Sequence, residues 1–129
     1  MRLDIIPDRQ IENPGQEDIV AAIRQAYAEE IDALILLSDV ENNQFMQVPS
    51  GGGHVEYCVG LKGPIYAADD VSLELAIQLF SAYARGETGW KTQTTWEVFI
   101  DSLGPTREPR HSVGLVRRIR DSIAAWLKG

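Results

Sequence analysis

The segment 45–96 constrains the fold most, because strand-like runs, glycine-containing turns and one amphipathic helix alternate along it. The run Phe45–Val48 leads through three consecutive glycines at 51–53 into a second run, His54–Val59. A short turn with glycine and proline then leads into a third run, Ile65–Ala68. Strand-like runs separated by such turns are typical of an antiparallel meander. We expect the three glycines to form a flexible connection.

The run His54–Val59 alternates in a way that assigns two faces to its strand. Side chains at every second position of a strand point to the same side. One face then carries Val55, Tyr57 and Val59, and the other carries His54, Glu56 and Cys58. Three further runs read as strands: Met1–Ile6, Ile31–Ser38 and Thr94–Ile100. The sequence therefore predicts an α+β fold with an antiparallel sheet of about five to six strands.

Two helices are predicted to pack on this sheet. For the first, we expect Asn13 to be the N-cap, Pro14 to take the first helical position and Gln16 to reach back to the cap. Its buried stripe is predicted to be Ile19, Val20, Ile23 and Tyr27. The second helix is predicted to begin near Ser72 and to end at Gly86. Its buried face is predicted to contain Ala76, Leu79, Phe80 and Tyr83. Trp90 and Trp96 are expected in the core.

The C-terminal part differs from the rest of this single predicted domain, 1–129. Residues 104–109 contain one glycine and two prolines, which indicates a linker between an acidic body, 1–103, and the segment after it. A C-terminal amphipathic helix is predicted over 112–127. Its apolar face would contain Val116, Ile119, Ile123 and Trp126, whereas Arg117, Arg118 and Arg120 lie mostly off that face.

The charge is divided unevenly along the chain, whose formal net charge is −7. Residues 1–106 hold 6 basic against 17 acidic residues, whereas 107–129 hold 6 against 2. An acidic body repels nucleic acid and membrane surfaces and speeds encounter with a basic partner. The single cysteine, the lack of a long apolar run and the lack of a secretion signal indicate a soluble cytoplasmic protein.

The candidate chemical motifs are all incomplete. The glycines at 51–53 lead into a strand and no lysine follows, unlike a phosphate-binding loop. His54 and Glu56 match the first half of a zinc deaminase signature, but that zinc site needs more cysteines than this chain has. We therefore expect no catalytic residue, no metal site and no cofactor. A small hydrolase-like enzyme that uses His54, Glu56 and Cys58 is one alternative.

Several features in this order carry a resemblance to a known family over roughly residues 11–100. They are the helix opening at 13–18, the apolar run 34–37, the run Phe45–Val48, the glycines at 51–53, Val55–Tyr57, the helix 71–85, Gly86, Trp90 and Trp96 with Glu97. This order resembles immunity proteins of bacterial polymorphic toxin systems, of the type encoded beside deaminase-like toxins. The predicted C-terminal helix departs from that pattern.

The resemblance implies a non-catalytic α+β protein that binds a cognate toxin domain and blocks its active site or substrate entry. A toxin that acts on nucleic acid must present a basic cleft, which an acidic body would suit. From the residues we predict contacts through the open sheet face and its edge loops, by Asp39, Glu41, His54, Glu56, Asp69 and Asp70. A monomer or weak homodimer is expected, with no nucleic-acid or membrane partner.

A second alternative is an acidic secretion chaperone. Chaperones of bacterial type III secretion are similar in size, acidity and order of helices and strands. They are usually dimers and bind an effector in that form. The oligomeric state of the free chain therefore discriminates between this alternative and an immunity protein.

Overall fold

The computed structural model describes residues 1–7, 9–29, 32–60 and 64–100. The strands are β1 Arg2–Ile6, β2 Arg9–Glu12, β3 Leu34–Asp39, β4 Gln44–Pro49, β5 Gly53–Cys58, β6 Ile65–Val71 and β7 Glu97–Ile100. The helices are α1 Gln16–Tyr27 and α2 Leu73–Ala84, followed by a short 3-10 helix, Gly89–Thr92. The predicted linker and the predicted C-terminal helix lie outside the described residues.

All seven strands form one antiparallel sheet in the order β2-β1-β3-β4-β5-β6-β7. The α+β class and the meander from β3 to β6 are therefore confirmed. The strand number exceeds the predicted five to six because β2 was missed. Its residues Arg9, Gln10 and Glu12 are exposed and only Ile11 is partly buried. An edge strand of this kind has too little apolar alternation to be recognised from its sequence.

Helix α1 begins later than the sequence predicted. Its N-cap is Gly15, whose backbone N–H donates to the Asp18 carboxylate over 2.8 Å. Asn13 lies outside the helix with a left-handed φ of 50°, and Pro14 precedes the cap. Gln16 therefore takes the first helical position. The predicted capping by Asn13 is wrong because an Asp three residues after Gly15 supplies the competing capping interaction.

The two helices also contact each other through a polar pair. The Gln16 side chain donates to the Ser81 hydroxyl over 2.6 Å.

In α1 the buried residues are Ile19, Ala22, Ile23 and Ala26, whereas Val20 and Tyr27 are only partly buried. Helix α2 has the predicted cap, since the Ser72 hydroxyl accepts from the Leu75 N–H over 3.1 Å. It ends before Gly86, which has a φ of 76°.

Both helices pack on one face of the sheet, which we call the first face. The buried side chains of this cluster include Leu3, Ile5, Ile35, Leu37, Met46 and Val48 from the sheet, and Ile19, Ile23, Leu79 and Phe80 from the helices. The rings of Trp90 and Trp96 pack edge-on against the ring of Tyr57, with centroids 4.8 and 4.7 Å away. The prediction that the tryptophans belong to the core is confirmed for Trp90, whereas Trp96 is only partly buried and packs against this cluster.

The opposite side of the sheet, which we call the second face, carries a smaller apolar cluster. Its buried members are Leu36, Phe45, Cys58 and Ile65, and Ile6 and Phe99 pack against them. The strand pairing aligns Ser38, Phe45, Cys58 and Ile65 across four neighbouring strands. The next aligned row contains Asp4, Leu36, Gln47, Glu56 and Ala67. This face therefore carries both polar and apolar side chains.

The glycines at 51–53 form a packed turn rather than a flexible connection. All three have positive φ values, which residues with a β carbon rarely adopt. The Gly51 N–H donates to the carbonyl of Ala26 in α1 over 2.8 Å. The glycines are thus explained by backbone conformation and by the approach of the turn to α1.

Candidate functional site

The sheet separates the six predicted contact residues into two groups. Asp39 and Glu41 lie at the hairpin between β3 and β4. His54, Asp69 and Asp70 lie near the other end of the strands, and Glu56 lies between the two ends. Five strand positions separate the level of Asp39 from that of His54, which corresponds to roughly 17 Å. The predicted residues therefore do not form one continuous site.

His54 lies between two carboxylates, in a group that we call the histidine cluster. Its Nδ1 lies 2.6 Å from Oδ1 of Asp69, and its Nε2 lies 3.3 Å from Oε1 of Glu56. The Asp69 side chain is 77% exposed, whereas that of Glu56 is 0% exposed. The Phe99 ring packs edge-on against the imidazole, with centroids 5.2 Å apart. The buried Glu56 carboxylate therefore contacts His54 and is not accessible at the surface.

The two carboxylates set the protonation state of His54. Burial would lower the pKa of His54, but contacts with Glu56 and Asp69 outweigh it and raise that pKa to about 8. Burial raises the pKa of Glu56, and the contact with His54 opposes this increase. His54 is therefore mainly protonated at neutral pH. A protonated histidine cannot accept a proton, so it is not poised as a general base there.

Cys58 is separate from the histidine cluster. It lies four positions from His54 in the same strand, or roughly 13 Å along it. Its thiol donates to the carbonyl of Gly60 over 2.9 Å. Burial raises the pKa of the Cys58 thiol, so its neutral form is favoured and its reactivity is low. The structure therefore does not bring together the three residues that the enzyme alternative requires.

A groove lies near Asp39, at the other end of the sheet. It forms between the β3–β4 hairpin and the segment after α2, and its volume is about 270 Å³. Its walls include Asp39, Asn42, Tyr83, Glu87, Trp90 and Lys91. We call it the acidic groove. Its walls carry two carboxylates, Asp39 and Glu87, and one ammonium group, Lys91, while Tyr83 and Trp90 are each only 5% exposed. The carboxylates can attract a cationic side chain of a partner.

Local contacts fix the walls of the acidic groove. The Asn42 amide donates to the Asp39 carboxylate over 2.7 Å. The Tyr83 hydroxyl is buried beside the backbone of Asp39 without a well-aligned hydrogen bond. Burial raises the pKa of Tyr83, and the nearby carboxylate of Asp39 adds to this increase. The Lys91 ammonium lies 5.6 Å from the centroid of the Trp90 ring.

The sequence did not predict this groove, although it singled out three of its wall residues. Tyr83 and Trp90 were assigned to the core, and Asp39 to a partner surface. Glu87 and Lys91 follow the second helix and give no periodic signal. The groove forms where residues 39–44 meet residues 83–91. The approach of two segments so far apart in sequence depends on the order of strands in the sheet, which a local pattern does not contain.

No group of three His, Cys, Asp or Glu side chains suited to holding a metal ion occurs within residues 1–7, 9–29, 32–60 and 64–100. The same ranges contain no helix long and apolar enough to cross a membrane. Comparisons with protein-family models, curated proteins and solved structures found no match to the chain. The residues and their geometry therefore carry the functional argument.

Proposed function

We propose that this protein is a non-catalytic immunity protein that binds and neutralises a cognate toxin domain with a basic cleft. The observation that carries the proposal is the charge of the described residues, which include 14 acidic against 5 basic side chains. Two of the basic side chains pair with neighbouring carboxylates, Arg2 with Asp4 at 3.2 Å and Arg85 with Glu87 at 2.6 Å. A large surplus of negative charge is left to attract a basic partner.

The acidic groove is the proposed contact site on this surface. Exposed Glu87 and partly buried Asp39 lie in its wall. Exposed Glu41 lies in the β3–β4 hairpin, next to Asn42 of the wall. These carboxylates can hold an arginine or lysine of a partner through charge-assisted hydrogen bonds. Such an anchored side chain, surrounded by contacts that exclude water, is typical of the residues that dominate a protein interface.

Exposed carboxylates at and beside the histidine cluster add to the charge that would attract a partner. Asp69 and Asp70 are exposed and add to the negative potential at the other end of the sheet. Glu56 is unavailable to a partner, so its replacement by lysine would place a charge inside the protein and would test folding rather than binding. Contact variants are better made at exposed positions.

The experiment is co-expression with a toxin domain encoded beside this protein, followed by measurement of complex formation and of growth. The double variant Glu41→Lys with Glu87→Lys should weaken the complex and reduce growth rescue. The matched control, Glu74→Lys with Glu97→Lys, makes the same change in net charge at exposed positions away from the groove. Equal weakening by both variants would mean that only total charge matters and that the groove is not the contact site.

The failure of the whole proposal has a separate signature. If the unaltered protein neither binds the toxin nor restores growth, it is not the immunity protein for that toxin. The molecular mass of the free chain in solution then tests the chaperone alternative. A stable dimer formed without any client would favour the chaperone, whereas a monomer would count against it.

A further inference from the structure

We infer that the acidic groove receives one arginine side chain of the partner, whose guanidinium group bonds to the Asp39 carboxylate and to the Tyr83 hydroxyl. This inference rests on the proposed function, because it names the group of the partner that enters the site. It goes further in two respects. The groove selects arginine over lysine, and a tyrosine that packs with the core takes part in binding.

The size of the acidic groove fits one side chain. Its volume is about 270 Å³, whereas pockets for small molecules usually measure roughly 300–1,000 Å³. Residues 41–43 and 86–89, at and beside its walls, are exposed, so its mouth is open to solvent. A side chain that projects from a partner can therefore enter from the surface.

The last row of the first face forms one wall of the groove. Asp39 and Gln44 are the terminal pair of β3 and β4 and lie directly opposite each other. Leu37 and Met46, two positions further into these strands, belong to the helix-covered cluster, so alternation places Asp39 and Gln44 on the same face. The facing wall comes from residues 86–91. A guest between the two walls therefore meets carboxylate and amide oxygens, which accept hydrogen bonds.

The two carboxylates of the groove differ in how far their charge is already paired. Glu87 accepts two hydrogen bonds from the Arg85 guanidinium, at 2.6 and 3.4 Å. Asp39 accepts from the neutral amide of Asn42 over 2.7 Å and forms no ion pair with a lysine or arginine of the described ranges. A carboxylate offers about four lone pairs to donors. Asp39 is therefore the carboxylate with most capacity left for a cation.

The Tyr83 hydroxyl is a second, independent sign of a ligand. Tyr83 lines the groove and is 5% exposed, and its hydroxyl has no well-aligned hydrogen bond to a described residue. Buried hydroxyls normally have a partner, because an unpaired one costs free energy. This hydroxyl lies beside the backbone of Asp39. A donor held by the Asp39 carboxylate is therefore next to a hydroxyl oxygen that lacks a partner.

Arginine matches this arrangement better than lysine does. A guanidinium carries its N–H donors in a rigid, planar fork, so it can donate to both oxygens of a carboxylate and to a neighbouring hydroxyl together. An ammonium is a compact group that is more strongly hydrated, so it gives up more on leaving water and fixes fewer acceptors in defined directions. The adjacent acceptors of Asp39 and Tyr83 therefore favour arginine.

Lys91 lies in the facing wall and opposes the entry of any cation. Its ammonium is 5.6 Å from the centroid of the Trp90 ring, and it forms no ion pair with a carboxylate of the described ranges. Its charge is therefore available to repel a guanidinium in the same groove. Removal of this charge should strengthen binding, an effect that damage to the fold does not produce.

The test is an NMR titration of the full-length protein with blocked single amino acids at constant ionic strength. The probe is Nα-acetyl-arginine methylamide, and the lysine analogue compares the two cations. The citrulline analogue, which has nearly the shape of arginine without its charge, is the matched control. The arginine probe should shift the amide signals of residues 39–44 and 86–91, with a dissociation constant of about 1 mM. The lysine probe should bind about fivefold more weakly, and the citrulline probe should shift nothing.

Four variants assign the contacts. Asp39→Asn should weaken binding of the arginine probe about tenfold, whereas Asp70→Asn, the same change at an exposed position at the other end of the sheet, should leave it unchanged. Tyr83→Phe should weaken it about fivefold without lowering the melting temperature, because the hydroxyl has no partner to lose in the free protein. Lys91→Gln should strengthen it about twofold.

Four results would overturn the inference. Equal affinity for the arginine and lysine probes would show that the groove responds to charge alone. Signal changes spread over the whole acidic surface, or no changes at all, would show that no arginine site exists there. A lower melting temperature of Tyr83→Phe would make the hydroxyl a structural group.

These results do not depend on the toxin, so they separate this inference from the proposed function. A protein that rescues growth but does not bind the arginine probe remains an immunity protein with a different contact. A protein that binds the arginine probe but no toxin keeps the arginine site and loses the immunity function.

Discussion

Gly52 lies directly against the ring of Tyr27. A β carbon on this glycine would be 2.5 Å from the Cδ2 and Cε2 atoms of the tyrosine, closer than real contacts allow. The Tyr27 hydroxyl in turn donates to the carbonyl of Val71 over 2.8 Å. The turn after β4, the end of α1 and the end of β6 therefore meet at one point, and any side chain at residue 52 would separate them.

The first prediction is that Gly52→Ala destabilises the protein much more than Gly53→Ala. Both glycines have positive φ, so alanine at either site should cost about 1 kcal/mol from backbone strain. Only the β carbon at 52 would also clash, since nothing lies within 4 Å of the corresponding position at 53. Gly52→Ala should cost about 3 kcal/mol in total. Urea unfolding of both variants checks this, and equal losses would contradict the close approach of Tyr27.

The second prediction concerns the protonation of His54. Its imidazole should titrate with a pKa of about 8, which an NMR titration measures directly. The chain has two histidines, so His54→Gln assigns the resonance. Asp69→Asn should lower the pKa of His54, because it removes one of two carboxylates that stabilise the charged ring. Asp70→Asn is the matched control and should change it less. A pKa below 6.5 in the unaltered protein would contradict this arrangement.

The third prediction follows from the raised pKa values of His54 and Glu56. Because the pKa of His54 is raised when folded, its stabilising contribution is complete below pH 6.5 and is lost as the pH rises through about 8. The raised pKa of Glu56 also makes the folded protein less stable as the pH rises above the ordinary pKa of a glutamate. The free energy of unfolding should therefore fall between pH 6.5 and 9, by about 1 kcal/mol.

Glu56→Gln is the variant that tests this coupling. The amide keeps nearly the same shape but cannot leave a buried charge when His54 loses its proton. The variant should show a flatter pH dependence and should be more stable than the unaltered protein at pH 9. Thermal unfolding in buffers from pH 6 to 9 measures both. Parallel curves for the two proteins would mean that Glu56 does not ionise within this range.

Much of the fold follows from local sequence patterns. Alternation in β5 correctly assigned Val55 and Tyr57 to the helix-covered face, and the Ser72 cap correctly placed the start of α2. These features depend on a few consecutive residues, which a pattern can detect. Strand β2 was missed because it depends on a neighbouring strand outside its own segment. The Gly15 cap was missed because the capping carboxylate comes from Asp18 in the first turn of α1 and not from the Asn13 side chain. Arg9–Glu12 becomes a strand through pairing with β1.

The candidate site was less predictable for a related reason. Alternation placed His54 and Glu56 on one face, which agrees with the distance of 3.3 Å between Nε2 of His54 and Oε1 of Glu56. The sequence predicts that this face is open, but Glu56 is 0% exposed. The strand pattern determines which side a residue faces, whereas its exposure depends on what covers that side. The acidic groove likewise depends on contacts between remote segments.

The fourth prediction concerns the rate at which the proposed toxin complex forms. If carboxylates at the acidic groove steer a basic partner, Glu41→Lys with Glu87→Lys should slow association about tenfold at low salt. The difference should shrink as salt rises, because exposed charges are screened beyond roughly 8 Å at 0.15 M ionic strength. Stopped-flow measurements across a salt series, with Glu74→Lys and Glu97→Lys as the control, separate local steering from net charge. An effect that is the same at every salt concentration would assign the loss to a packed contact instead of to steering.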